Sequence, residues 1–329
     1  MAKYKAEHGF EIKHRSSDPS NPIEGEIWYN TTTQKLKLAP QVAAWASGGA
    51  FGSNATTGIR SAGTLTAGLG AYGRGTANSS AAVAEAWEYD GSSWTAGGDA
   101  NTARAYVAGC GTQTAAIYAG GYDGEGMTES EEYNGSSWAE GDDLNTGRWY
   151  PASTGSQTAA VQSLGVTPGA LSNATEEYNG SSWTSVTNHP AARRTAEGAF
   201  GPQTAAVFVG NNQPPYPTSA VEHYDGTNWT AGGSFNTARG YLFAFGASQT
   251  AGVIVGGTNP STTRKNVTEE YDGTSWTTNP ATLAGARHDG GAAGTNTAGF
   301  IMGGNDGSNK TTTTEEWTKA ATVRSVDTT

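Results

Sequence analysis

The chain has 329 residues, of which 47 are glycine and 15% are charged, and its formal net charge of −11 would repel phosphates, so we expect no nucleic-acid partner. Ten tryptophans and 14 tyrosines supply enough large side chains for a buried core, which excludes a disordered chain. No segment approaches the roughly 20 apolar residues that cross a bilayer, and no secretion signal begins the chain, so we expect no membrane insertion and synthesis in a cytoplasm.

Residues 1–38 precede the repeated part of the chain and are expected to form an arm with a β-hairpin. Ile27 and Tyr29 alternate with Trp28, a polar turn follows, and Leu36 and Leu38 alternate again. The segment 19–38, with its sequence Gly-Glu-Ile-Trp-Tyr-Asn-Thr, resembles hairpins of bacteriophage tail-fibre and other virion proteins. This resemblance implies that the arm anchors the chain to a virion through Ile27, Trp28 and Tyr29. An arm that folds onto its own domain remains the alternative.

One phrase, Glu-Tyr-Asp-Gly-Ser-Ser-Trp at 88–94, returns four times in slightly altered form. Its successive tryptophans are 44, 45, 46 and 47 residues apart, and a period in the forties indicates an array of similar units. We interpret the tyrosine and the tryptophan as the recurring core of each unit. These residues are Tyr89, Trp94, Tyr133, Trp138, Tyr178, Trp183, Tyr224, Trp229, Tyr271 and Trp276, with Trp317 at the end of the array.

The residue pattern of each unit predicts four short strands, and no segment shows a sustained helical period. Asp-Gly and Asn-Gly close the hairpin between the Tyr strand and the Trp strand. Trp317 has no fourth strand after it, and Trp45 opens a fourth strand with no third strand before it. The prediction is therefore an all-β fold. It is a six-bladed β-propeller of four-stranded antiparallel blades over 39–318, closed by pairing the N-terminal strand near Trp45 with the C-terminal blade. A C-terminal tail at 319–329 would follow.

The order of Gly-Gly, Tyr and Trp in each unit resembles the kelch repeat over residues 40–318, and this resemblance implies a propeller. Gly120-Gly121 and Gly303-Gly304 are examples of the glycine pair. The third and fourth units carry Leu164-Gly165 and Gly210-Asn211 instead. The first unit is irregular, because Arg60 is out of phase and a glycine-rich stretch at 68–75 replaces the usual strand.

Arginines and glutamates recur with the repeat. The arginines are Arg104, Arg148, Arg194 (or its neighbour Arg193), Arg239 and Arg287, and the glutamates are Glu131, Glu176, Glu222, Glu269 and Glu315. A half-buried glutamate between packed sheets needs a cation or a hydrogen-bond donor, so we predict Arg–Glu or Arg–carbonyl bonds. A ring of arginines that holds an anion in a central channel is the functional alternative.

The loops between the Gly-Gly strand and the Tyr strand vary from unit to unit and share one side of the array. Rigid strands that carry divergent loops form a binding face, although weak constraint on the loops explains the variation equally well. The candidate binding residues are Tyr122, Asp123, Asn212, Tyr216, Asn259, Asn305 and Asp306, which would suit a carbohydrate. Tyr106, Tyr150 and Tyr241, two residues after the repeat arginine, are interpreted as core.

No catalytic constellation is recognised, so we expect no enzyme, no metal and no cofactor. His189, His223 and His288 lie in different units without a partner at metal-ligand spacing, and the lone Cys110 is expected to fill core space.

The arm and the array together predict a bacteriophage virion structural protein, such as a tail fibre, appendage or decoration module. The arm would bind other virion proteins. The non-catalytic propeller would bind a host-surface glycan or protein, in multiple copies or as a homo-oligomer. A glycan-processing propeller enzyme and a cellular kelch-type interaction scaffold are the alternatives.

Overall fold

A computed structural model describes residues 12–52, 57–75, 81–194, 198–211, 218–259, 263–307, 310–321 and 323–326. The described chain is all-β, and its helical content is one 3₁₀ turn at Gln203–Ala205. The strands are β1 (Lys13–Arg15), β2 (Ile27–Asn30), β3 (Lys35–Leu38), β4 (Gln41–Ser47), β5 (Arg60–Thr64), β6 (Ala67–Ala71), β7 (Ala86–Tyr89), β8 (Trp94–Ala96), β9 (Ala108–Thr112), β10 (Ala115–Ala119), β11 (Ser130–Tyr133), β12 (Trp138–Glu140), β13 (Ala152–Ser156), β14 (Ala159–Ser163) and β15 (Val166–Thr167). They continue as β16 (Ala170–Leu171), β17 (Thr175–Tyr178), β18 (Trp183–Ser185), β19 (Ala199–Phe200), β20 (Ala206–Val209), β21 (Val221–Tyr224), β22 (Trp229–Ala231), β23 (Phe243–Ser248), β24 (Ala251–Val255), β25 (Thr268–Tyr271), β26 (Trp276–Asn279), β27 (Gly291–Gly294), β28 (Ala298–Met302), β29 (Thr314–Ala321) and β30 (Arg324–Ser325).

Six four-stranded sheets follow the repeat in the described residues, and we number them sheets 1 to 6. Their strand orders are β5-β6-β7-β8, β9-β10-β11-β12, β13-β14-β17-β18, β19-β20-β21-β22, β23-β24-β25-β26 and β27-β28-β29-β4. Sheets 1 to 5 are antiparallel throughout. This arrangement is consistent with a β-propeller and agrees with the four strands expected per unit.

The recurring tyrosine and tryptophan form a cross-strand pair in each of the first five sheets. In sheet 1, Tyr89 lies directly opposite Trp94, and their ring centroids are 4.7 Å apart. The other four pairs have centroid distances of 4.9, 5.0, 4.8 and 4.7 Å. Aromatic pairs at this separation add about 0.5–1.5 kcal/mol beyond the area they bury. The repeated phrase therefore fixes the register of the outer hairpin in each sheet.

The turn inside the repeated phrase is stabilised by the side chain of Asp90, the first residue of the turn. Asp90 accepts hydrogen bonds from the backbone N–H groups of Ser92 and Ser93, both at 2.8 Å. These bonds lower the pKa of Asp90 to about 2. Gly91 has a φ of 93°, which an L side chain adopts only with strain, so glycine is required there.

Sheet 6 has a tryptophan pair in place of the Tyr–Trp pair. Trp317 on β29 takes the position of the tyrosine, and its ring centroid is 5.3 Å from that of Trp45 on β4. The indole N–H of Trp45 also donates to Thr268 Oγ1 in sheet 5 at 2.9 Å. A strand that precedes sheet 1 in sequence thus lies beside β29, where the sequence expects the missing fourth strand.

Adjacent sheets are joined by the hydroxyl group of the repeat tyrosine. Tyr133 donates to Glu88 at 2.6 Å, Tyr178 to Glu132 at 2.6 Å and Tyr224 to Glu177 at 3.0 Å, each glutamate lying in the preceding sheet. Tyr271 contacts His223 Nε2 at 2.9 Å in the same way. Tyr89 of sheet 1 donates to Glu316, which lies on β29 of sheet 6.

The first strands of the sheets also contact one another. β5 contacts β9, β9 contacts β13, β13 contacts β19, β19 contacts β23, β23 contacts β27, and β27 contacts β5. Glycines inside the strands leave room for aromatic rings that lie against the backbone. A Cβ atom on Gly109 would lie 2.3 Å from the Tyr118 ring, and one on Gly252 would lie 2.2 Å from Phe200. These contacts explain why glycine is frequent inside the strands.

The predicted Arg–Glu bonds are present in five sheets, and most of them are fully buried. They join Arg104 to Glu131 at 3.2 Å, Arg148 to Glu176 at 2.6 Å, Arg193 to Glu222, Arg239 to Glu269, and Arg287 to Glu315 at 2.9 Å. Burial lowers the pKa of Arg148 to about 10, against the opposing effect of Glu176. In sheet 4 the paired residue is Arg193; assigning Arg194 to this position was wrong, because Arg194 is directed instead towards Tyr150 and Tyr241.

Sheet 1 is more regular than the sequence suggested. Tyr72 has a φ of 61° and Gly73 a φ of 122°, close to the 71° and 115° of Gly120 and Gly121. Tyr72-Gly73 therefore occupies the Gly-Gly position, and the glycine-rich stretch before it is the ordinary strand β6. Arg60 is indeed out of phase, since it lies within β5 and donates to the carbonyl of Val107 at 3.1 Å.

The chain divides into two compact units, one of Met1–Ala44 with Thr318–Thr329 and the other of Trp45–Trp317. In the first unit β2 and β3 form the hairpin that the alternation predicts, with Ile27 opposite Leu38 and Tyr29 opposite Leu36. β1 pairs parallel with β2, and β30 pairs with β3. The segment predicted as a C-terminal tail thus contributes a strand to this sheet.

The buried ion pairs generate a prediction for Glu176→Ala. The substitution leaves the guanidinium of Arg148 buried without its carboxylate, which costs about 3–5 kcal/mol in comparable pairs. We expect the free energy of unfolding, measured by denaturant titration, to fall by that amount. Asp99→Ala removes an exposed acid and should change it by less than about 0.5 kcal/mol. Equal effects of the two substitutions would show that the pair contributes nothing specific.

Candidate functional site

The variable loops lie next to the segments that lead into the first strands. Isolated bridges join Ala105 to Tyr122, Trp149 to Val166, Gly240 to Thr258, and His288 to Asn305. Each bridge connects a residue just after the repeat arginine with the beginning of a variable loop. The loops of sheets 2, 3, 5 and 6 therefore surround the residues that follow the arginines.

The residues two positions after the repeat arginine share an unusual backbone conformation. Tyr106, Tyr150, Tyr241 and Asp289 have φ angles of 58°, 55°, 51° and 59°. A positive φ is strained for side chains of this size and persists only where the surroundings impose it. Here the surroundings are neighbouring sheets, because Tyr150 N–H donates to the Tyr106 carbonyl at 2.9 Å and Asp289 N–H to the Tyr241 carbonyl at 3.2 Å. Gly58 N–H donates to the Asp289 carbonyl at 3.1 Å.

The side chains at these positions form a continuous series of contacts. The Arg74 guanidinium lies 5.4 Å from the centroid of the Tyr106 ring, and its Nη1 donates to the Tyr106 hydroxyl at 2.9 Å. Tyr106 stacks on Tyr150 at 4.0 Å. Arg194 lies 5.3 Å from the Tyr150 centroid and 5.5 Å from that of Tyr241. We call Arg74, Tyr106, Tyr150, Arg194, Tyr241, His288 and Asp289 the tyrosine–arginine cluster.

The prediction that Tyr106, Tyr150 and Tyr241 belong to the core is wrong, because all three are only half-buried. The sequence signal for them was the recurrence of tyrosine two residues after the arginine. That recurrence identified a repeated position, but the positive φ of these residues has no signature in side-chain chemistry.

A half-buried carboxyl group, that of Asp289, lies within this cluster. Asp289 Oδ1 is 3.6 Å from Arg60 Nη2, which reaches it from β5. Burial raises the pKa of Asp289 above its usual range, against the opposing charges of Arg60, His288 and Arg194. Burial also raises the pKa of the Tyr150 hydroxyl, followed by the effect of Asp289. The site thus combines cations, aromatic rings and one carboxyl group that resists ionisation.

The candidate binding residues of the loops differ in exposure and in hydrogen bonding. Asp123 and Asp306 are exposed, and Tyr122 is half-buried with its ring centroid 5.2 Å from Trp149. Asn305 and Asn259 hold their own loops, since their side-chain oxygens accept from the N–H groups of Gly307 at 2.7 Å and Thr263 at 2.8 Å. Asn212 and Tyr216 lie outside the described residues.

A concave region of about 400 Å³ is lined mainly by residues of the first strands. Its described lining consists of small and aromatic residues such as Ala62, Ser153, Gly201 and Phe245. Cys110 lies in this wall and is buried, which raises the pKa of its thiol to about 12. Arg60 borders a smaller space that adjoins it.

The repeat arginines do not form an anion-binding ring, because each is bonded to its glutamate. In the part of the chain that the structure describes, no three His, Cys, Asp or Glu side chains are grouped as metal ligands would be. Within the same residues, no helix has the length and apolar character to span a membrane. His189 belongs to the sheet 4 pair, with Nε2 3.5 Å from Glu222.

The anchoring residues are divided between the two faces of their sheet. Trp28 is fully buried and its indole N–H donates to Asp18 Oδ1 at 3.1 Å, so in this conformation it stabilises the sheet and does not present a surface to a partner. Ile27 is 47% exposed on the opposite face, beside the half-buried Tyr29. The large hydrophobic side chains that the described residues expose are Ile12, Ile23, Ile27 and Val326, all in this unit.

Comparison of the chain with protein-family models and with curated proteins finds no match in either set.

The raised pKa of Asp289 generates a prediction about pH. The ordinary value is 3.8, and a raised folded-state value means that the folded protein holds this proton more tightly than the unfolded chain. The contribution of Asp289 to stability is therefore fully present below about pH 4 and is lost as the pH rises through the folded-state pKa. Asp289→Asn cannot titrate, so the unfolding free energy of the variant minus that of the native protein should increase from about pH 4 to about pH 7.

Denaturant titrations of both proteins at several pH values measure this difference. The contributions of the other carboxyl groups to the pH dependence cancel in the subtraction. A difference in unfolding free energy that stays constant or decreases with pH would contradict a raised pKa for Asp289.

Proposed function

We propose that sheets 1 to 6 are the blades of a closed, six-bladed, kelch-like β-propeller. Three observations support this. The contacts between first strands run from β5 through β27 and return to β5. The bond from Tyr89 to Glu316 links sheet 1 to sheet 6 as the other tyrosines link consecutive sheets. Finally, β4 supplies the fourth strand beside β29.

On this architecture we propose that the protein is a structural component of a bacteriophage virion. The unit built from the two ends of the chain would anchor it to other virion proteins, and the propeller would bind a host-surface glycan or protein without catalysis. The observation that carries the proposal is that the two units differ in the side chains they expose and bring together. Exposed aliphatic side chains belong to the first unit, whereas half-buried aromatic and charged side chains meet among the loops of the second.

The alternatives differ in outcomes that can be measured. A glycan-processing enzyme would release sugars when incubated with host-envelope polysaccharide, whereas the proposed binder would retain the polysaccharide intact. A cellular interaction scaffold would be absent from purified particles. Labelling of the protein in intact virions, viewed by electron microscopy, should place it on the particle surface, and its absence from particles would reject the proposal.

Ring closure predicts equal effects of two matched substitutions. Tyr89→Phe removes the hydroxyl that links sheets 1 and 6, and Tyr133→Phe removes the one that links sheets 1 and 2. Each loses a hydrogen bond to a carboxylate, which is worth about 1.5–3 kcal/mol. Thermal and denaturant unfolding should show a similar loss for both variants. A clear loss for Tyr133→Phe together with none for Tyr89→Phe would indicate an open array.

The anchoring role predicts that Ile27→Asp blocks incorporation into particles. A charge on this exposed aliphatic position should oppose burial against a virion partner while the sheet itself stays folded, because the side chain is already half exposed. The assay is complementation of a phage that lacks the protein, with the amount in purified particles compared with that of a major virion protein. Thr33→Asp, an exposed position in the turn of the same hairpin, is the control. Normal incorporation of Ile27→Asp would remove this face from the anchoring surface.

A further inference from the structure

Two of the five hairpin turns in the repeated phrase carry asparagine where the other three carry aspartate. The asparagines are Asn134 in sheet 2 and Asn179 in sheet 3, and they form the only Asn-Gly pairs of the sequence. The aspartates are Asp90, Asp225 and Asp272. All five side chains are exposed, and the glycine that follows each has a φ between 90° and 96°. The two residue types thus occupy one structural position.

The amide oxygen of each asparagine accepts the same hydrogen bonds as the carboxylate in the other turns. Asp90 Oδ1 accepts from the backbone N–H groups two and three residues later, both at 2.8 Å. Asn134 Oδ1 accepts from the two equivalent groups at 3.0 Å, and Asn179 Oδ1 at 2.9 Å. N–H groups directed at a carbonyl oxygen stabilise negative charge that develops on it. The turn therefore makes the Cγ atom of each asparagine more electrophilic.

A polarised asparagine amide is open to attack by the backbone nitrogen of the next residue. Here that residue is Gly135 or Gly180, which has no side chain to crowd the approach of its nitrogen to Cγ. Within the described residues, neither glycine N–H donates a hydrogen bond. The two atoms that would join belong to adjacent residues of an exposed turn, so water reaches both of them and the flanking strands stay paired.

Aspartate suits these turns better than asparagine does. A carboxylate forms charge-assisted hydrogen bonds with N–H groups, which are stronger than those of a neutral amide. Backbone hydrogen bonds of the turn lower the pKa of Asp90 to about 2, and they also lower the pKa values of Asp225 and Asp272. The folded turns therefore favour an ionised aspartate at this position.

The other product that a cyclic imide can give, isoaspartate, does not fit the same turn. Isoaspartate continues the backbone through Cγ and so adds a methylene group to the chain between the two strands. The ends of each turn are fixed by a cross-strand aromatic pair, with ring centroids 4.9 Å apart in Tyr133–Trp138 and 5.0 Å apart in Tyr178–Trp183. An extra backbone atom between these pairs would disturb their register.

We propose that Asn134 and Asn179 are sites of spontaneous deamidation and that the folded protein converts them to aspartate. The glycine nitrogen forms a bond with Cγ, and its proton leaves with the side-chain nitrogen as ammonia, which gives a cyclic imide. Water then adds to Cγ and breaks the new C–N bond, so that the glycine nitrogen regains a proton and Cγ becomes a carboxylate.

The reaction requires only the turn and water, so it does not depend on what the array of sheets binds. Each conversion adds one negative charge to a chain whose formal net charge is −11.

The test is peptide mapping by mass spectrometry of the full-length protein after incubation, folded, in mildly alkaline buffer. We expect the mass gain of an amide-to-acid conversion at both turns. Asn228, exposed in the turn of sheet 4 but followed by Trp229, should stay unchanged. Aspartate should be the main product in the folded protein, whereas a sample unfolded in urea should give mainly isoaspartate, because water attacks the backbone carbonyl of an unconstrained imide more readily.

A double variant, Asn134→Asp with Asn179→Asp, supplies the expected product directly. It should elute with the incubated protein on anion exchange and should unfold at the same or a higher denaturant concentration than the native protein, because the carboxylates keep the bonds of the turn.

The remaining outcomes would overturn the inference. Unchanged Asn134 and Asn179 in the folded protein, once the unfolded sample has reacted, would show that the turn protects its amide. Isoaspartate as the main product of the folded protein, or a double variant that is clearly less stable, would contradict the fit of aspartate. Equal conversion of Asn228 would show that the Asn-Gly turn does not select the site, and reaction of only one of the two asparagines would contradict a property shared by both turns.

Discussion

The hydrogen bond from a repeat tyrosine to a glutamate of the preceding sheet is the contact on which the rest of the array depends. A single four-stranded sheet of short strands cannot bury both of its faces, so each sheet requires a neighbour. The tyrosine serves both needs, since its ring packs on the tryptophan across the hairpin and its hydroxyl reaches the next sheet. The buried Arg–Glu pairs then hold the segment that enters each sheet against the strand that ends in the tyrosine.

The same stacking of sheets produces the candidate site. Among the described residues, three backbone hydrogen bonds join an entering segment to the equivalent segment of another sheet, and Tyr106, Tyr150, Tyr241 and Asp289 on these segments have a positive φ. A core residue would turn away from solvent at this point, but these tyrosines are half-buried and pack on one another. Replacement of tyrosine by Asp289 in sheet 6 then places a carboxyl group next to Arg60. Chemical variety in the site therefore arises from substitution at one repeated position.

Much of the fold could be predicted from the sequence because its determinants are local and repeated. The Asp-Gly turn, the Tyr–Trp pair and the alternating strands are all recognisable within a few residues, and the four-stranded sheets follow from them. The sequence also located the strand near Trp45 correctly beside the last sheet. The sequence analysis failed where a shift of one residue along the chain decides which side chain makes a contact. Arg193 and Arg194 are adjacent, and only the path of the backbone selects the one that meets Glu222. The cluster could not be foreseen either, because it joins residues that are distant in sequence through a backbone conformation that sequence patterns do not encode.

The central claim is that the first and last strands of the array pair and close it. Native-state hydrogen exchange of the backbone amides at 45–47 measures this directly. If the account is correct, these amides exchange as slowly as those of β12 and β18, the fourth strands of sheets 2 and 3. Rapid exchange at 45–47 while β12 and β18 remain protected would show that β4 does not hold the last sheet, and would contradict a closed array.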